Sequence, residues 1–366
     1  MIKPKTKQHA LLLLEDGTCF EGYGVGANGT ASGEICFNTG TTGYQEIMTD
    51  PSYKGQIVAM TNVHIGNYGI KNTENQSQNL QISGLICRNF PEDFSRFQAD
   101  QSLQNYLSNA NLVAVSHIDT RRLVQHIRAN GAMNSTISTQ ILDKTELMHT
   151  LQKIPNMEGL EMASLVSTPS FYAVGNPKST FKVAVMDYGI KQNTLQCLIE
   201  RGCFVGVFPH NTSFETLKTF EPHGVLLSNG PGDPATMKQE IEVIKQLLGD
   251  NIPIFGICLG NQLLGLACGC TTKKMKYGHR GINQPVKNLD TGLCEITSQN
   301  HGFGIDDDSL KNNLDLVATH INLNDHTIEG IKHRHKPAFA VQYHPEGSPG
   351  THDSRYLFDK FVAMLH

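Results

Sequence analysis

The 366-residue chain lacks the patterns that would assign it to a membrane or to a nucleic acid. Its first apolar run, Ala10 to Leu14, stops at Glu15 and Asp16, which is too early for a secretory signal or a membrane span. Thirty Lys and Arg face 34 Asp and Glu, a formal net charge of -4, without a basic block. Nucleic acids and anionic membranes are therefore poor candidate partners, and we expect a soluble, cytoplasmic protein.

A disulfide framework and a metal site are also missing from the sequence. Nine cysteines, an odd number at irregular spacing in a long chain, indicate a reducing compartment. Cys268 and Cys270 form the only close pair, and no second pair completes a metal site. No Gly-rich phosphate loop is joined to a Lys and Mg²⁺ ligands. We therefore expect neither a metal nor a cofactor in this chain.

The sequence does contain two contrasting halves, as its length suggests. Short strands between Gly- and Thr-rich turns predict a β-rich, mixed domain over 1–166, with an amphipathic helix from Asp119 or Thr120 to near Gly131. Residues 167–180 are rich in Ser, Thr, Pro and Gly and predict a linker. From 181 to 366 strands and helices alternate, which predicts a mainly parallel sheet flanked by helices.

The second half contains a candidate nucleophile elbow at Cys258. The run 254–257 predicts a buried strand and leucines recur at helical spacing over 259–266, so Cys258 lies on the turn between them. Gly256 and Gly260 allow the tight turn that G-x-S-x-G enzymes use to present a nucleophile. The start of a helix also favours a thiolate. The alternative is a buried cysteine that serves only as a small apolar side chain.

A nucleophilic thiolate needs a base, and the base needs an orienting partner. His344 follows the apolar strand 338–343, which would deliver it to the carboxyl edge of the sheet, and Glu346 lies two residues on. His301 is the alternative base, but no carboxylate follows it so closely. In the loop 228–234 (SNGPGDP), two glycines allow backbone N–H groups to face an oxyanion, although a plain β-turn would have the same composition.

Both halves also carry a family resemblance. The motifs SNGPGDP, GICLGNQLL and HPEGSPG, in this order, resemble the triad-type glutamine amidotransferase domain. The segments FNTGTTGYQEIMTDPSYKGQIV, HIGNYG and IDTRRLVQHIRANGAMN resemble the N-terminal domain of carbamoyl phosphate synthetase small subunits. Because that domain is specific to the small subunits, the chain is similar to this family over most of its length.

The resemblance implies roles for particular residues. Cys258 would be the nucleophile, His344 the base and Glu346 its partner. Positions that would hold glutamine or its oxyanion are Ser52, Lys191, Gly230, Gly232, Leu259, Gln262, Asn300, Gly302 and Phe303. Ser52 would contribute from the first domain. Two stretches depart from the family pattern: Asn261 stands where His is usual, and Ile282 and Gln284 stand where Gly and His are common.

The implied function is hydrolysis of L-glutamine through a γ-glutamyl thioester on Cys258. Ammonia would pass to a separate large subunit that uses ATP and Mg²⁺ to make carbamoyl phosphate from bicarbonate, for arginine and pyrimidine biosynthesis. An amidotransferase subunit for anthranilate or GMP synthesis is an alternative that would share only the second half. A stand-alone cysteine hydrolase and a non-catalytic binding protein are further alternatives.

Overall fold

A computed structural model describes residues 7–365. The chain separates into two compact units, Met1–Asn156 and Met157–His366. The segment 157–166, which we expected to belong to the first domain, makes its contacts in the second unit, where the Asp233 N–H donates to Leu160 O at 2.8 Å. Among the described residues, no helix combines the length and apolar character needed to cross a membrane. All nine cysteines are free thiols.

The first unit is a closed barrel of mixed strands, so the predicted β-rich, mixed domain is confirmed. Its strands are β1 (His9–Leu14), β2 (Cys19–Gly26), β3 (Thr30–Asn38), β4 (Gln56–Met60), β5 (Gly84–Ile86), β6 (Val113–Ser116) and β7 (Asn134–Ser138). Its helices are α1 (Tyr44–Thr49), α2 (Leu103–Asn109), α3 (Thr120–Asn130) and α4 (Lys144–Leu151). The order around the barrel is β1-β2-β6-β5-β4-β3-β7, with parallel pairing from β3 through β4 and β5 to β6. Closure pairs every strand on both sides and leaves no exposed sheet edge.

Two local predictions in this unit have clear structural counterparts. The predicted helix α3 is confirmed: the Asp119 side chain accepts the Arg122 N–H at 3.0 Å, and Gly131 follows the last turn with a φ of 102°. Ser52 is buried in a single 3₁₀ turn, Pro51–Tyr53, where the Asp50 carboxylate accepts its N–H at 2.9 Å. The turn thus holds the Ser52 backbone rigidly within the unit.

The second unit is built on one sheet with helices on both faces. Its strands are β8 (Tyr172–Val174), β9 (Phe181–Asp187), β10 (Cys203–Pro209), β11 (Gly224–Leu227), β12 (Ile254–Ile257), β13 (Thr272–Asn288), β14 (Cys294–Ile305), β15 (Leu316–Asn322), β16 (Ile328–His333) and β17 (Ala338–Val341). Its helices are α5 (Gln192–Ile199), α6 (Phe214–Thr219), α7 (Lys238–Gly249), α8 (Leu259–Ala267), α9 (Asp307–Lys311) and α10 (Tyr356–Val362). Over the described residues the strand order is β14-β13-β15-β16-β17-β12-β11-β9-β10-β8.

The centre of this sheet is parallel, which confirms the predicted α/β class. Strands β17, β12, β11, β9 and β10 run parallel to their neighbours in this group, and the flanking strands pair antiparallel. Alternate residues of β9 enter opposite cores: Ala184 and Met186 pack with α7 and α8, whereas Val183 and Val185 pack with α5 and α10. Because helices cover both faces, the central strands are continuously apolar.

The region after Cys270 departs from the regular alternation of strands and helices that we expected from 181 to 366. It forms β13 and β14, strands of 17 and 12 residues that pair antiparallel. Gly278, Gly281 and Pro285 have the composition of turns, yet they lie inside β13. The register shifts between Lys274 and His279 and again after Gly281. These residues therefore bend one long strand instead of ending it.

Candidate active site

The predicted strand-turn-helix at Cys258 is confirmed. Cys258 follows β12, has a φ of 54° and precedes α8, and its N–H donates to Val341 O at 2.9 Å. A Cβ atom on Gly260 would lie 2.2 Å from Leu227 O, and one on Gly256 would lie 2.7 Å from Gly260 O. Both glycines are thus required by close backbone contact. The left-handed backbone at the cysteine is the kind of strain found at functional sites.

His344 is the histidine that the sequence predicts as the base for Cys258. Its Nδ1 donates to Glu346 Oε1 at 2.8 Å, so Nε2 is directed away from the carboxylate. Nε2 is buried and has no hydrogen-bond partner in the part of the chain that the structure describes, and interaction with the Cys258 side chain is one of the causes that raise the pKa of His344. The backbone N–H of His344 donates to Ser298 O at 2.8 Å, which fixes the ring against β14. The Glu346 carboxylate and the β14 backbone therefore hold His344 in place.

His301, the alternative base, is engaged elsewhere. Its Nδ1 donates to Phe303 O at 2.9 Å, and its Nε2 lies 3.2 Å from Gln299 Oε1. Burial is the main reason that its pKa falls well below the ordinary value for histidine. The two ring nitrogens of His301 thus face Phe303 and Gln299, and neither is hydrogen-bonded to Cys258 among the described residues.

Lys191 forms a buried ion pair with Glu346, the carboxylate that contacts His344. Its Nζ lies 2.8 Å from Glu346 Oε1, and both side chains are fully buried. Burial raises the pKa of Glu346, but the charges of Lys191 and His344 outweigh this and lower it. Burial lowers the pKa of His344, but the Glu346 charge and the hydrogen bonds to Cys258 and Glu346 raise it to about 10. At neutral pH the pair is therefore an imidazolium and a carboxylate.

The turn after β9 positions Lys191. Asp187 Oδ1 accepts the N–H groups of Gly189 at 2.9 Å and Ile190 at 2.8 Å, and Lys191 then starts α5 as its N-cap. Asn193, in the first turn of that helix, donates to Glu346 O at 2.7 Å. We did not predict Asp187 or Asn193 from the sequence. An acidic residue at the end of an apolar strand was the available signal.

The glycine loop lies beside the start of α8. A Cβ atom on Gly230 would be 2.2 Å from Tyr188 O and 2.8 Å from Leu259 Cδ2, so the loop and the helix are in direct contact. Gly232 has a φ of 93°, and a Cβ atom there would be 2.8 Å from Leu160 O. Leu259 is the first residue of α8, whose first N–H groups have no acceptor within the helix.

The segment 157–162 packs over both the glycine loop and β14. The Gly159 N–H donates to Asp233 Oδ2 at 2.9 Å, and Met157 and Met162 form a small buried cluster with Phe303. The segment thereby contacts both the glycine loop, at Asp233, and β14, at Phe303. The sequence pattern assigned this segment to the other domain, since nothing local signals where it packs.

Strand β14 passes directly over the nucleophile. The Cys258 thiol donates to Asn300 O, with sulfur and oxygen 3.6 Å apart, and Gln262 Nε2 donates to Phe303 O at 2.8 Å. Gly302 lies between them, where a Cβ atom would be 3.2 Å from an Arg280 nitrogen. Three of the residues predicted to hold glutamine are thus brought to the elbow on one strand.

Behind β14 lies a buried group of His279, His301 and Glu329, whose nitrogen and oxygen atoms lie within 4.8 Å of one another. His279 Nδ1 contacts Glu329 Oε1 at 3.2 Å, and its Nε2 contacts Asp325 Oδ2 at 2.9 Å. Burial lowers the pKa of His279, but the two carboxylates raise it to about 9. His279 is thus paired with two carboxylates, Glu329 on β16 and Asp325 in the turn before it.

Comparison with known proteins agrees with this geometry. Residues 184–364 match the family model "Glutamine amidotransferase class-I". The sheet, the elbow and this match define the second unit as a class-I glutamine amidotransferase domain. Residues 12–137 match the model "Carbamoyl-phosphate synthase small chain, CPSase domain".

Relatives cover nearly the whole chain. A carbamoyl phosphate synthase small chain from a Synechococcus species is 49% identical over 98% of this chain and 94% of its own length. Proteins of the same name from Chlorobaculum tepidum and Vibrio cholerae are 47% and 45% identical, over 97% of this chain and 97% and 98% of their own lengths. The chain therefore belongs to the carbamoyl phosphate synthase small chain family. A small chain implies a large-chain partner.

Proposed function

We propose that the chain hydrolyses L-glutamine with Cys258, His344 and Glu346 and delivers the ammonia to a large, ATP-dependent chain that makes carbamoyl phosphate. The observation that carries the proposal is the alignment at the elbow. Cys258 lies at the elbow and is among the groups that raise the pKa of His344, whose Nδ1 is bound to Glu346. A nucleophile, a base and an orienting carboxylate are the three groups that acyl transfer requires.

In the first half-reaction the Cys258 thiolate attacks the side-chain carboxamide carbon of glutamine. The negative charge that develops on oxygen is received by N–H groups of the Gly230–Gly232 loop and of Leu259. The imidazolium of His344 gives its Nε2 proton to the departing nitrogen, so ammonia leaves and a γ-glutamyl thioester remains. The raised pKa of His344 favours the protonated ring that this step needs.

In the second half-reaction water resolves the thioester. His344, now neutral, removes a proton from water as the oxygen attacks the thioester carbon, and the thiolate departs. Glutamate is released and the imidazolium is restored. Glu346 keeps the imidazole in the same orientation in both halves, and Lys191 keeps Glu346 ionised.

The walls of the site favour a carboxamide side chain as substrate. Gln262, Asn300, Gly302 and Phe303 lie at or beside the elbow, and we assign them to glutamine binding. Neither half-reaction needs a cofactor, so ATP and Mg²⁺ would bind to the large chain. The complex would be cytoplasmic. The product would serve arginine and pyrimidine biosynthesis.

The test uses the chain co-purified with its large partner. Carbamoyl phosphate formation is measured with glutamine and, separately, with ammonium, for wild type, Cys258→Ser and His344→Asn. Both variants should lose glutamine-dependent synthesis and keep ammonium-dependent synthesis. Cys294→Ser, which changes an exposed cysteine, should keep both activities.

The alternatives have different outcomes in the same assay. Full glutamine turnover that the large chain leaves unchanged would indicate a stand-alone cysteine hydrolase. Unchanged ammonia production by Cys258→Ser would indicate that the elbow is not catalytic. Loss of both activities in a variant would show that assembly had been damaged instead of chemistry.

A further inference from the structure

Gln342 is a fully buried polar residue at the centre of the site that the mechanism above does not use. It directly follows β17, and its backbone N–H donates to Glu329 O at 2.8 Å. It precedes His344 by two residues. Its side-chain Nε2 lies 3.6 Å from the Cys258 sulfur, although the two residues are 84 positions apart in the chain.

The orientation of the Gln342 amide follows from its neighbours. The Phe303 carbonyl can only accept, so the Gln262 atom that contacts it at 2.8 Å must be the donor Nε2. The same Nε2 contacts the Gln342 side chain at 3.2 Å, so the Gln342 atom on that side must be the acceptor Oε1. The NH₂ group of Gln342 therefore faces sulfur.

Asn261 adds a second donor to the same oxygen. Its Nδ2 donates to Gln342 Oε1 at 3.2 Å, so both neighbours hold the amide in one orientation. This gives a role to the position where the family usually has His. An imidazole or a carboxamide can donate there, whereas an apolar side chain could not.

We propose that Gln342 is a further catalytic residue that stabilises the Cys258 thiolate by donating an N–H to the sulfur. A protonated thiol can donate to Asn300 O, but a thiolate cannot, and the carbonyl dipole then repels it. The charge needs N–H donors, and the Gln342 NH₂ group, 3.6 Å from the sulfur, supplies one. The inference rests on the proposed role of Cys258 as nucleophile.

The test compares Gln342→Glu and Gln342→Met with wild type in the complete complex with the large chain. Gln342→Glu keeps the size of the side chain but turns an oxygen toward sulfur, and Gln342→Met removes both polar atoms. Because a hydrogen bond to a charged group is lost, kcat for glutamine should fall about ten- to a hundredfold with little change in KM. Ammonium-dependent synthesis should stay at the wild-type rate.

Thiol reactivity separates a chemical role from a structural one. Iodoacetamide labelling of the Cys258 peptide is followed by mass spectrometry across pH. The pH at which labelling reaches half its maximal rate should be about one unit higher for Gln342→Glu than for wild type. Asn261→Asp, which replaces a donor to Gln342 Oε1 by an acceptor, should give a smaller shift in the same direction.

Gln45→Glu is the matched control, since it alters a buried amide of the first unit that donates to Lys71 O at 2.6 Å. It should lower the melting temperature and leave the labelling profile unchanged. Wild-type kcat and labelling in both Gln342 variants, or a lower melting temperature alone, would overturn the inference. Glutamine hydrolysis by Cys258→Ser would instead overturn the proposed function on which it rests.

Discussion

At the scale of single residues, the buried pair of Lys191 and Glu346 sets the charge next to His344, the proposed base. The family resemblance placed Lys191 among the residues that hold glutamine, yet its Nζ contacts Glu346 Oε1. That position makes it the counter-ion of the carboxylate that orients His344. Whether it also contacts substrate stays a prediction, and kinetics can separate the two roles.

Lys191→Met should lower kcat for glutamine by about tenfold or more, because the uncompensated charge of Glu346 disturbs His344. The same variant should also be less stable, since removing one partner of a buried ion pair costs about 3–5 kcal/mol of folding stability. Steady-state kinetics with glutamine and with ammonium provide the measurement. Lys218→Met, in an exposed pair with Asp250, should behave like wild type. An increase in KM at unchanged kcat would assign Lys191 to substrate binding instead.

At the scale of elements, the elbow depends on the fit of α8 against β11. The N–H of Gly260 donates to Ser228 O at 3.1 Å, and its Cα faces Leu227 O. The sequence predicted the turn because glycine, strand and helix signals are adjacent in the chain. The reason for the second glycine is a contact with another strand, which only the fold supplies.

Gly260→Ala should abolish glutamine hydrolysis, since the new methyl group would overlap the Leu227 carbonyl and displace Cys258. Gly249→Ala is the matched control, because a Cβ atom at the end of α7 has nothing within 4 Å. In a helix this change normally stabilises by about 0.5–1 kcal/mol. Glutaminase rates and denaturant unfolding of both variants test the contrast. Equal activity of the two would contradict the close-packed elbow.

The segment 157–162 offers a second prediction at this scale. Met162 packs on Phe303 and Met157, so Met162→Ala should loosen β14 and cost about 2 kcal/mol of stability. We expect a higher KM for glutamine, with ammonium-dependent synthesis unchanged. Met364→Ala, a partly buried methionine of the core on the α5 and α10 side, is the comparison. Met364→Ala should lower stability without changing KM. A raised KM in Met364→Ala would show that the effect of Met162→Ala is not specific to β14.

At the scale of the whole molecule, the ion-paired group behind β14 links stability to pH. The raised pKa of His279 stabilises the folded state fully below its unfolded value of about 6.5, and this contribution is lost as pH rises through about 9. Burial raises the pKa of Asp325, but His279 lowers it by more, so the net pKa lies below the ordinary value. The contribution of Asp325 to folding stability is therefore lost in acid.

We therefore expect His279→Gln to be destabilised most between about pH 5 and 6.5, with the difference from wild type shrinking above pH 9. Thermal unfolding of both proteins at pH 6 and pH 9.5 measures this. His335→Gln, an exposed histidine, should show no such trend. A difference that grows with pH would mean that His279 is buried in its neutral form.

The sequence by itself determined the elements whose signals lie between adjacent residues. These are the elbow at Cys258, the cap and end of α3, and the strand that carries His344. The sequence did not indicate barrel closure, because β1 and β7 come from opposite ends of the first unit. It also missed the long β13 and β14, whose glycines resemble turns until they are paired.

Only the tertiary structure decided which distant groups meet the sulfur. Gln342 and Asn300 contact the sulfur because β12 pairs with β17 and because β14 passes the elbow, whereas the Lys191–Glu346 pair contacts His344. Sheet order is set by packing of the whole apolar core, which no local pattern records. The nucleophile could thus be predicted from the chain, but its electrostatic surroundings could not.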